Sequence, residues 1–363
     1  MPGYYVGLMS GTSLDGIDAV LAAARGGRMR LLRNIHLPFP ARLRSHLLDL
    51  QESGRNELHR AAVVSNELSD FYARAMRRLL SRARVTPRAV AAIGCHGQTV
   101  RHRPGEGYTL QLVNGARLAE RSGSTVVCDF RSRDIAAGGE GAPLVPAFHH
   151  AAFQAARRSR AIVNLGGIAN VTSLPARGRV TGFDSGPGNC LLDAWIRERR
   201  RKPYDRDGRW AASGHVHPRL LARLLAHPYF GRRPPKSTGR EEFSLKWLKR
   251  QLAGAEQPAD VQATLTELTA LTVARAVRRY CASAREVFVC GGGARNRLLL
   301  SRLAALLPGR RVATTAALGI EPEHVEALAF AWLARQALLH RSGNLPAVTG
   351  ARGPRVLGAI YPG

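Results

Sequence analysis

The chain has 363 residues with a hydrophobic content of 45% and an aromatic content of 6%; because a single core stops growing at roughly 250 to 300 residues, we expect an ordinary globular protein with two domains. The sequence has neither the roughly 18 consecutive apolar residues of a membrane span nor the pattern of a signal peptide, so we expect no membrane partner and a cytoplasmic location. The formal net charge of +28 would suit nucleic acid, but almost all of the 54 basic residues are arginines spread over every segment, so we interpret it as a compositional bias and expect no nucleic-acid partner.

The first half of the chain alternates apolar strands with polar turns. Residues 4–9 predict a buried strand, and residues 18–24 predict the strand that pairs with it across a tight turn. Apolar residues at helical spacing predict a long amphipathic helix over 58–83. Two further apolar runs, 89–95 and 125–128, each end in a polar loop. Strands that end in polar loops before helical segments indicate an α/β fold with ligands at the carboxyl ends of the strands.

The second half of the chain also alternates predicted strands with polar or glycine-rich loops and helices. Residues 161–164 and 286–290 predict strands that run into glycine-rich loops. Helices are expected over 260–279 and from about 321 to 339, each with acidic residues in its first turn. Residues 232–242, RRPPKSTGREE, predict a mobile surface insertion, because consecutive prolines and charges do not pack into a core. The C-terminal tail predicts loops and one final strand.

The turn between the first two strands, Ser10 to Asp18, combines Gly, Ser, Thr and Asp. Such a turn offers backbone N–H groups, hydroxyls and carboxylates at one place, as the phosphates of a nucleotide and their magnesium ion require. The pattern alone is equally consistent with an ordinary β-hairpin turn. It is neither a GxxxxGK[ST] phosphate loop nor a GxGxxG dinucleotide fingerprint.

Three later loops have a similar character. Paired glycines follow a strand in NLGGIAN (164–170), Asp184 is expected at a strand tip in FDSGPGN (183–189), and the triplet Gly291–Gly293 lets a flat ligand approach the backbone. Asp184 is consistent with an acceptor in an Asx turn and with a general base that takes a proton from an attacking oxygen. Taken together, the four loops resemble the layout of the actin-like, sugar kinase and Hsp70 ATPase architecture.

Six motifs, in order, resemble those of the anhydro-N-acetylmuramic acid kinase family. They are MSGTSLDGID (9–18), GCHGQT (94–99), DFRSRDIAAGGEGAPLVP (129–146), NLGGIANVT (164–172), FDSGPGN (183–189) and CGGGARN (290–296). The correspondence is collinear and extends to the closing IYPG, so it covers nearly the whole chain.

The resemblance implies a two-domain α/β fold of the actin-like and sugar kinase type with a central cleft. It places residues 1–130 and about 325–363 in the first domain, and about 131–324 in the second. It also implies ATP and Mg²⁺ as cofactors, a small amino sugar as substrate and, by analogy, a homodimer.

The resemblance further implies a reaction. Members of this family open 1,6-anhydro-N-acetylmuramic acid with water and phosphorylate O6 with ATP, giving N-acetylmuramic acid 6-phosphate and ADP in the recycling of peptidoglycan. Asp184 matches the catalytic base, which activates the water for attack at the anomeric carbon. The nucleotide is expected at Gly11, Thr12, Ser13, Leu14, Asp15, Gly16, Ile17, Asp18, Gly166, Gly167, Asn170, Gly291, Gly292, Gly293 and Asn296. The sugar is expected at His96, Gln98, Thr99, Asp129, Arg131 and Asp134.

Some of these side chains suit more than one role. Asp15 and Asp18 are expected to reach Mg²⁺ through water, unless one of them only caps the turn. His96 suits a sugar-lining or pocket-supporting role better than proton transfer. A guanidinium at Arg131 or Arg133 would match the lactyl carboxylate of the sugar, and we prefer Arg131.

One position departs from the family pattern, and two alternative functions remain to be compared with the kinase. Glu140 stands where the family usually has Gln, so a ligand-facing carboxylate there would repel an anion, whereas a solvent-facing one would change nothing. A chaperone-like or cytoskeletal nucleotide switch would share the ATP loops, but GCHGQT and DFRSRD argue against it. A nucleic-acid-binding protein would need aromatic residues interleaved with its basic charge, and the sequence lacks such a pattern.

Overall fold

The computed structural model describes residues 3–11, 14–239 and 241–363. Contacts divide the chain into unit 1, Met1–Ala152 with His324–Gly363, and unit 2, Phe153–Glu323. The first boundary lies after Ala152, whereas the sequence placed it at residue 130. The segment after residue 130 belongs to unit 1 because Asp134 is hydrogen-bonded to Asn344 and Thr349 near the C-terminus.

Strands and helices alternate along the chain. The strands are β1 (Tyr4–Met9), β2 (Gly16–Arg25), β3 (Arg28–Pro38), β4 (Val90–Cys95), β5 (Gln98–Arg103), β6 (Tyr108–Leu112), β7 (Val126–Cys128), β8 (Arg160–Leu165), β9 (Ile168–Leu174), β10 (Thr181–Pro187), β11 (Glu286–Cys290), β12 (Arg311–Thr314) and β13 (Ala359–Tyr361). The α-helices are α1 (Ala41–Asp49), α2 (Glu57–Ala83), α3 (Gly115–Ser122), α4 (Ser132–Ala136), α5 (Val145–Phe153), α6 (Cys190–Arg200), α7 (Pro218–Leu225), α8 (Leu245–Gln251), α9 (Pro258–Tyr280), α10 (Arg297–Leu306), α11 (Val325–Leu338) and α12 (Pro346–Thr349). None of the helices described is both long and apolar enough to cross a membrane.

The main sheet of unit 1 has the strand order β3-β2-β1-β4-β7-β13. Its strands β1, β2 and β3 are antiparallel neighbours, whereas β4 runs parallel to β1 and β7 runs parallel to β4. Strands β5 and β6 form a separate antiparallel hairpin. Helix α2 packs on β2 and β3, and helix α11 packs on β1 and β4. Side chains of β1 alternate between the two faces, so Val6 and Leu8 join the core formed with α2 while Gly7 faces α11.

Two glycines let α11 lie close against the sheet. A Cβ atom on Gly7 would lie 1.8 Å from the carbonyl oxygen of Ala327, and one on Gly94 would lie 1.9 Å from that of Phe330. Any larger side chain at either position would therefore separate the helix from the sheet.

The sheet of unit 2 has the strand order β10-β9-β8-β11-β12. Its strands β8, β9 and β10 are antiparallel neighbours, and β11 and β12 continue parallel to β8. This is the same order and direction as β3-β2-β1-β4-β7 in unit 1. Helices α9 and α10 complete a core with this sheet, and a second cluster rich in aromatic side chains joins α6, α7, α8 and α9. The predicted α/β fold in two units is confirmed, and the predicted cleft stays a prediction.

Candidate active site

Asp184 lies within β10, and its side chain is only 6% exposed. The register pairs Asp184 with Asn170 on β9, Asn170 with Asn164 on β8, and Asn164 with Cys290 on β11. Residues directly opposite each other on neighbouring strands present their side chains on the same face of the sheet. These four side chains therefore form a row across the sheet of unit 2. The pairing register shifts between Asp184 and Gly186, and such irregularities in a strand often re-aim side chains beside active sites.

Residues 229–238 enclose Asp184. The Tyr229 hydroxyl donates to the Asp184 carbonyl oxygen at 2.6 Å, and the Asp184 N–H donates to the carbonyl oxygen of Lys236 at 3.2 Å. The Thr238 N–H donates to Asp184 Oδ2 at 3.1 Å. No described residue of 232–242 is buried, so the predicted surface location is confirmed, while its mobility stays a prediction; the segment is in addition hydrogen-bonded to Asp184.

Hydrophobic residues anchor this charged stretch on both sides. Tyr229 and Phe243 are 0% and 1% exposed, and their ring centroids lie 5.6 Å apart. Prolines and charges alone gave no sign of this packing, but the aromatic residues at either end of the segment were a usable signal.

Lys236 contributes a positive charge that interacts electrostatically with the Asp184 carboxylate. Its side chain is half-buried, and burial together with the neighbouring Arg232 lowers the pKa of the ammonium group, while Asp184 acts in the opposite direction. From the sequence, Lys236 was included only as one of the charged residues of the segment 232–242.

The Gly166–Gly167 turn between β8 and β9 packs against the start of α6. The N–H groups of Gly188 and Cys190 donate to the Gly167 carbonyl oxygen at 2.9 and 3.0 Å, and the Asn189 N–H donates to that of Gly166 at 2.8 Å. The carbonyl groups of this turn are thus used within the protein, which leaves ligand recognition to its other groups.

The glycine triplet after β11 packs against the end of β8. A Cβ atom on Gly291 would lie 2.3 Å from Asn164 Oδ1, and one on Gly293 would lie 2.6 Å from Leu165 Cβ. Gly292 differs, because it is exposed and no atom lies within 4 Å of a Cβ built there. The structure therefore brings the two glycine-rich motifs of unit 2 together, and Gly292 is the position of the triplet with an open approach.

Asn170 and Asn296, both predicted to bind nucleotide, lie in different surroundings. Asn170 is 9% exposed, and its Oδ1 has no hydrogen-bond partner among the residues that the structure describes. Asn296 caps α10, because its Oδ1 accepts the Leu299 N–H at 3.0 Å. Asn170 thus has an acceptor available to a ligand, whereas the oxygen of Asn296 already has a structural role.

The N-terminal turn is the β1–β2 hairpin, in which Met9 pairs with Asp18. Thr12 and Ser13 lie outside the described residues. Leu14 and Ile17 are 2% and 0% exposed, so their side chains belong to the core and only their backbone could face a ligand.

The remaining positions of this turn are Gly11, Asp15, Gly16 and Asp18. A Cβ atom on Gly16 would lie 2.5 Å from the carbonyl oxygen of Leu37, which explains the glycine by packing. Asp15 is exposed, and Asp18 Oδ1 accepts from His36 Nδ1 at 2.9 Å. Within the described ranges, no group of three or more His, Cys, Asp or Glu side chains could hold a metal ion.

In unit 1, His96 and Arg131 form a fixed pair. Arg131 donates through Nη2 to His96 Nε2 at 2.9 Å and through Nη1 to the Gly141 carbonyl oxygen at 2.8 Å. Burial, and then the charge of Arg131, lower the pKa of His96 to about 3, so the imidazole is neutral. Because Nε2 accepts, the proton is assigned to Nδ1. This geometry suits a residue that supports a pocket better than one that transfers protons.

The β5–β6 hairpin contributes buried polar atoms near this pair. Gln98 Oε1 and Gln111 Oε1 have no hydrogen-bond partner in the described part of the chain. Gln111 Nε2 donates to Thr99 Oγ1 at 3.2 Å, and burial followed by the charge of Arg131 lowers the pKa of His102 to about 4. Buried polar atoms without partners are uncommon and indicate a place for a polar ligand or water. Gln98 and Thr99 were predicted at the sugar site, whereas His102 and Gln111 were not, because they belong to a hairpin that the sequence pattern did not predict.

Two aspartates predicted to contact the sugar are placed differently. Asp134 is fully buried and accepts from the Gly141 N–H at 2.9 Å, Asn344 Nδ2 at 2.7 Å and Thr349 Oγ1 at 2.8 Å. Its carboxylate therefore holds the fold of unit 1 together and does not line a surface. Asp129 is exposed.

Comparison with known proteins places the chain in a family. Residues 3–363 match the family model described as anhydro-N-acetylmuramic acid kinase. A protein of that name from Nitrosomonas europaea is 57% identical over 361 residues, covering 99% of both chains. Another, from Thiobacillus denitrificans, is 57% identical over 362 residues, covering 99% of this chain and 97% of the relative.

A more distant likeness exists among solved structures. An activator of the 2-hydroxyisocaproyl-CoA dehydratase from Clostridium difficile, with bound ADPNP, has 14% identity and a TM-score of 0.47 over 91% of this chain and 94% of that chain. The protein is a kinase that belongs to the anhydro-N-acetylmuramic acid kinase family.

Proposed function

We propose that the protein uses ATP to phosphorylate O6 of 1,6-anhydro-N-acetylmuramic acid while water opens the anhydro bridge. The products are N-acetylmuramic acid 6-phosphate and ADP, and the reaction serves the recycling of peptidoglycan in the cytoplasm, where ATP is available. Support for the substrate comes from the name shared by the family and its relatives. The observation that carries the proposal is Asp184, a buried carboxylate held in place by residues 229–238.

Asp184 has the properties that a general base needs. The Thr238 N–H fixes the orientation of Oδ2, and the main chain of Asp184 is hydrogen-bonded on both sides of its Cα atom. In the proposed reaction, water forms a bond to the anomeric carbon, the bond from that carbon to O6 breaks, and O6 bonds to the γ-phosphorus as ADP leaves. The proton of the water passes to Asp184. A positioned general base contributes roughly a hundredfold to ten-thousandfold to a rate.

We assign the nucleotide to the positions that resemble the family motifs. In unit 2, Nδ2 of Asn170 and the backbone N–H groups of the Gly166–Gly167 turn are proposed phosphate contacts, because phosphate oxygens accept hydrogen bonds, and Gly292 is a proposed contact for adenosine because its α-carbon is open. In unit 1, the turn at residues 11–18 is a proposed phosphate contact. Asp15 and Asp18 would supply carboxylate oxygens to Mg²⁺ through water, since this hard cation prefers oxygen ligands and keeps several waters.

The sugar is assigned to unit 1. Arg131, held by His96 and Gly141, would attract the lactyl carboxylate of the substrate. The partnerless oxygens of Gln98 and Gln111 would accept hydrogen bonds from donor groups of the sugar. The homodimer stays a prediction.

The test is ADP release measured with and without 1,6-anhydro-N-acetylmuramic acid. We expect ADP only with the sugar, and we expect Asp184→Asn to lower the rate at least about a hundredfold, because the amide cannot take the proton. The fold should persist, since the amide oxygen can still accept the Thr238 N–H. Glu241→Gln, the matching change on an exposed side chain of the same unit, should leave the rate unchanged.

ADP release that does not depend on the sugar would favour a nucleotide switch. Full activity of Asp184→Asn would remove Asp184 from the mechanism.

A further inference from the structure

The segment that encloses Asp184 carries Lys236, one of only four lysines in the chain. Its Nζ donates to the carbonyl oxygen of Tyr229 at 3.2 Å and lies 4.3 Å from the centroid of the Tyr229 ring and 5.9 Å from that of Phe183. Its own carbonyl oxygen accepts the Asp184 N–H. The lysine is therefore held at both its main chain and its side chain, against the same residue that holds Asp184.

Placing an ammonium group in a half-buried site costs free energy unless opposite charges compensate. The charged groups that act on Lys236 are the carboxylates of Asp184 and Glu242 and the guanidinium groups of Arg232 and Arg279. Three cations thus share this region with two carboxylates, and one of the two is the proposed base.

We propose that Lys236 is a positioning residue for Asp184: its ammonium group keeps the carboxylate ionised, and its main chain helps to fix the direction of that carboxylate. The inference rests on the proposed role of Asp184 as the base. A nearby cation favours the ionised form of a carboxylate, whereas nearby anions disfavour it. A base that works beside the phosphates of ATP and an acidic sugar needs such a counter-charge, because a protonated carboxyl group cannot accept a proton.

The first test is the pH dependence of kcat/KM for the wild type and Lys236→Met, which keeps an unbranched side chain without the charge. Loss of a neighbouring cation should raise the pH of the acidic limb by about one unit. On the acidic side of that limb, kcat/KM should be about tenfold below the wild type, and the two profiles should converge at higher pH. Lys236→Arg should keep the wild-type limb, and Lys246→Met, at an exposed lysine of the same unit, should change nothing.

His227 needs separation from this effect, because its Nδ1 accepts the Tyr229 N–H at 3.3 Å and protonation there would disturb the same segment. The variant His227→Gln separates the two, because an acidic limb that depends on Asp184 persists when His227 is replaced, whereas one that depends on His227 is lost. A limb that stays in place, or a loss of activity that is equal at every pH, would overturn the proposal and leave Lys236 with a packing or substrate-contact role. Thermal unfolding of each variant checks that the fold is retained.

The second test needs no sugar and therefore separates this inference from the proposed function. The pH dependence of acylation of each of the four lysines is followed by mass spectrometry in the wild type and in Asp184→Asn. Since the electrostatic coupling is reciprocal, removing the carboxylate should shift the labelling curve of Lys236 to lower pH by about one unit and leave those of Lys202 and Lys246 in place. An unshifted Lys236 curve would overturn the inference, even if the enzyme has the proposed activity. If the wild type releases no sugar-dependent ADP, the proposed function fails and the labelling experiment still decides whether the two charges are coupled.

Discussion

Asp134 and Asp184 are both buried aspartates, but the partners of their carboxylates differ. Asp134 is surrounded by donors from Gly141, Asn344 and Thr349, which join two stretches of unit 1 that are far apart in sequence. Asp184 is held largely through its main chain, and the one donor to its carboxylate given above is the Thr238 N–H. The first arrangement stabilises the fold, and the second presents a carboxylate in a fixed direction.

Asp134→Ala should therefore lower stability before it affects sugar binding. Removing the carboxylate leaves three donors in a buried site, which should reduce the free energy of unfolding by about 3 kcal/mol or more. Urea denaturation measures this loss, and Asp49→Ala, at an exposed position, should change the free energy by less than about 0.5 kcal/mol. A normal unfolding free energy combined with a raised KM for the sugar would return Asp134 to the substrate site.

At the scale of elements, helix α11 and the sheet of unit 1 meet at Gly7 and Gly94. Helix α11 was predicted from its apolar sequence and acidic start, and β1 and β4 were predicted as apolar runs. Their contact was not predicted, because a glycine within a strand has no side chain from which a pattern can be read.

Gly94→Ala tests this contact. The added methyl group would overlap the carbonyl group of Phe330, so the helix or the strand must shift, and we expect a loss of about 2 to 3 kcal/mol in the free energy of unfolding. Gly105→Ala adds the same methyl group where no atom lies within 4 Å, and it should have little effect. Equal stabilities of the two variants would contradict close packing of α11 against β4.

Other elements show where sequence patterns succeed and fail. Helices α2 and α9 were predicted to within about three residues at each end, because their apolar residues repeat at helical spacing. Strand β3 was missed, because it lies at the edge of the sheet and is rich in exposed, charged residues. Strand β3 is held in the sheet by backbone pairing with β2, and the hydrophobicity pattern of the sequence does not show such pairing.

The candidate active site shows the same contrast between residues that the sequence predicted and residues that it did not. Family motifs pointed to Asp184, Asn170 and Arg131, whose surroundings suit the proposed roles. Residues whose contribution comes from long-range packing, such as Lys236 and Gln111, carried no local signal.

At the scale of the whole molecule, the two units repeat one sheet order although their lengths of chain and their loops differ. We predicted two α/β domains from the chain length and from the recurring pattern of strands and loops. The sheet order that the two units share depends on which strands pair with each other, and the sequence pattern does not reveal this. Most of the described arginines are exposed, so the basic composition is mainly a property of the surface.

The buried histidines of unit 1 predict how stability depends on pH. Burial lowers the pKa of His96 and His149 to about 3 and, together with Arg131, that of His102 to about 4. Because these values lie below the ordinary value of 6.5 in the unfolded chain, the unfolded state binds protons first as the pH falls. Stability is therefore complete above pH 6.5 and is lost on acidification, by about 1.4 kcal/mol per pH unit for each histidine.

Urea denaturation at pH 7 and pH 5 should show this loss. His149→Gln should make the dependence shallower, and His59→Gln, at an exposed histidine, should not. A free energy of unfolding that is the same at both pH values would show that these histidines are not held neutral by burial.

In the proposed reaction, water opens the anhydro bridge while the γ-phosphoryl group is transferred to the sugar. The most direct test is to run the reaction in ¹⁸O-labelled water and to locate the label by tandem mass spectrometry at early times. We predict a sugar phosphate formed in equal amount to ADP, with one ¹⁸O atom on the anomeric carbon and none in the phosphate group. Inorganic phosphate carrying the ¹⁸O, beside unchanged anhydro sugar, would show that the protein only hydrolyses ATP and would contradict the account.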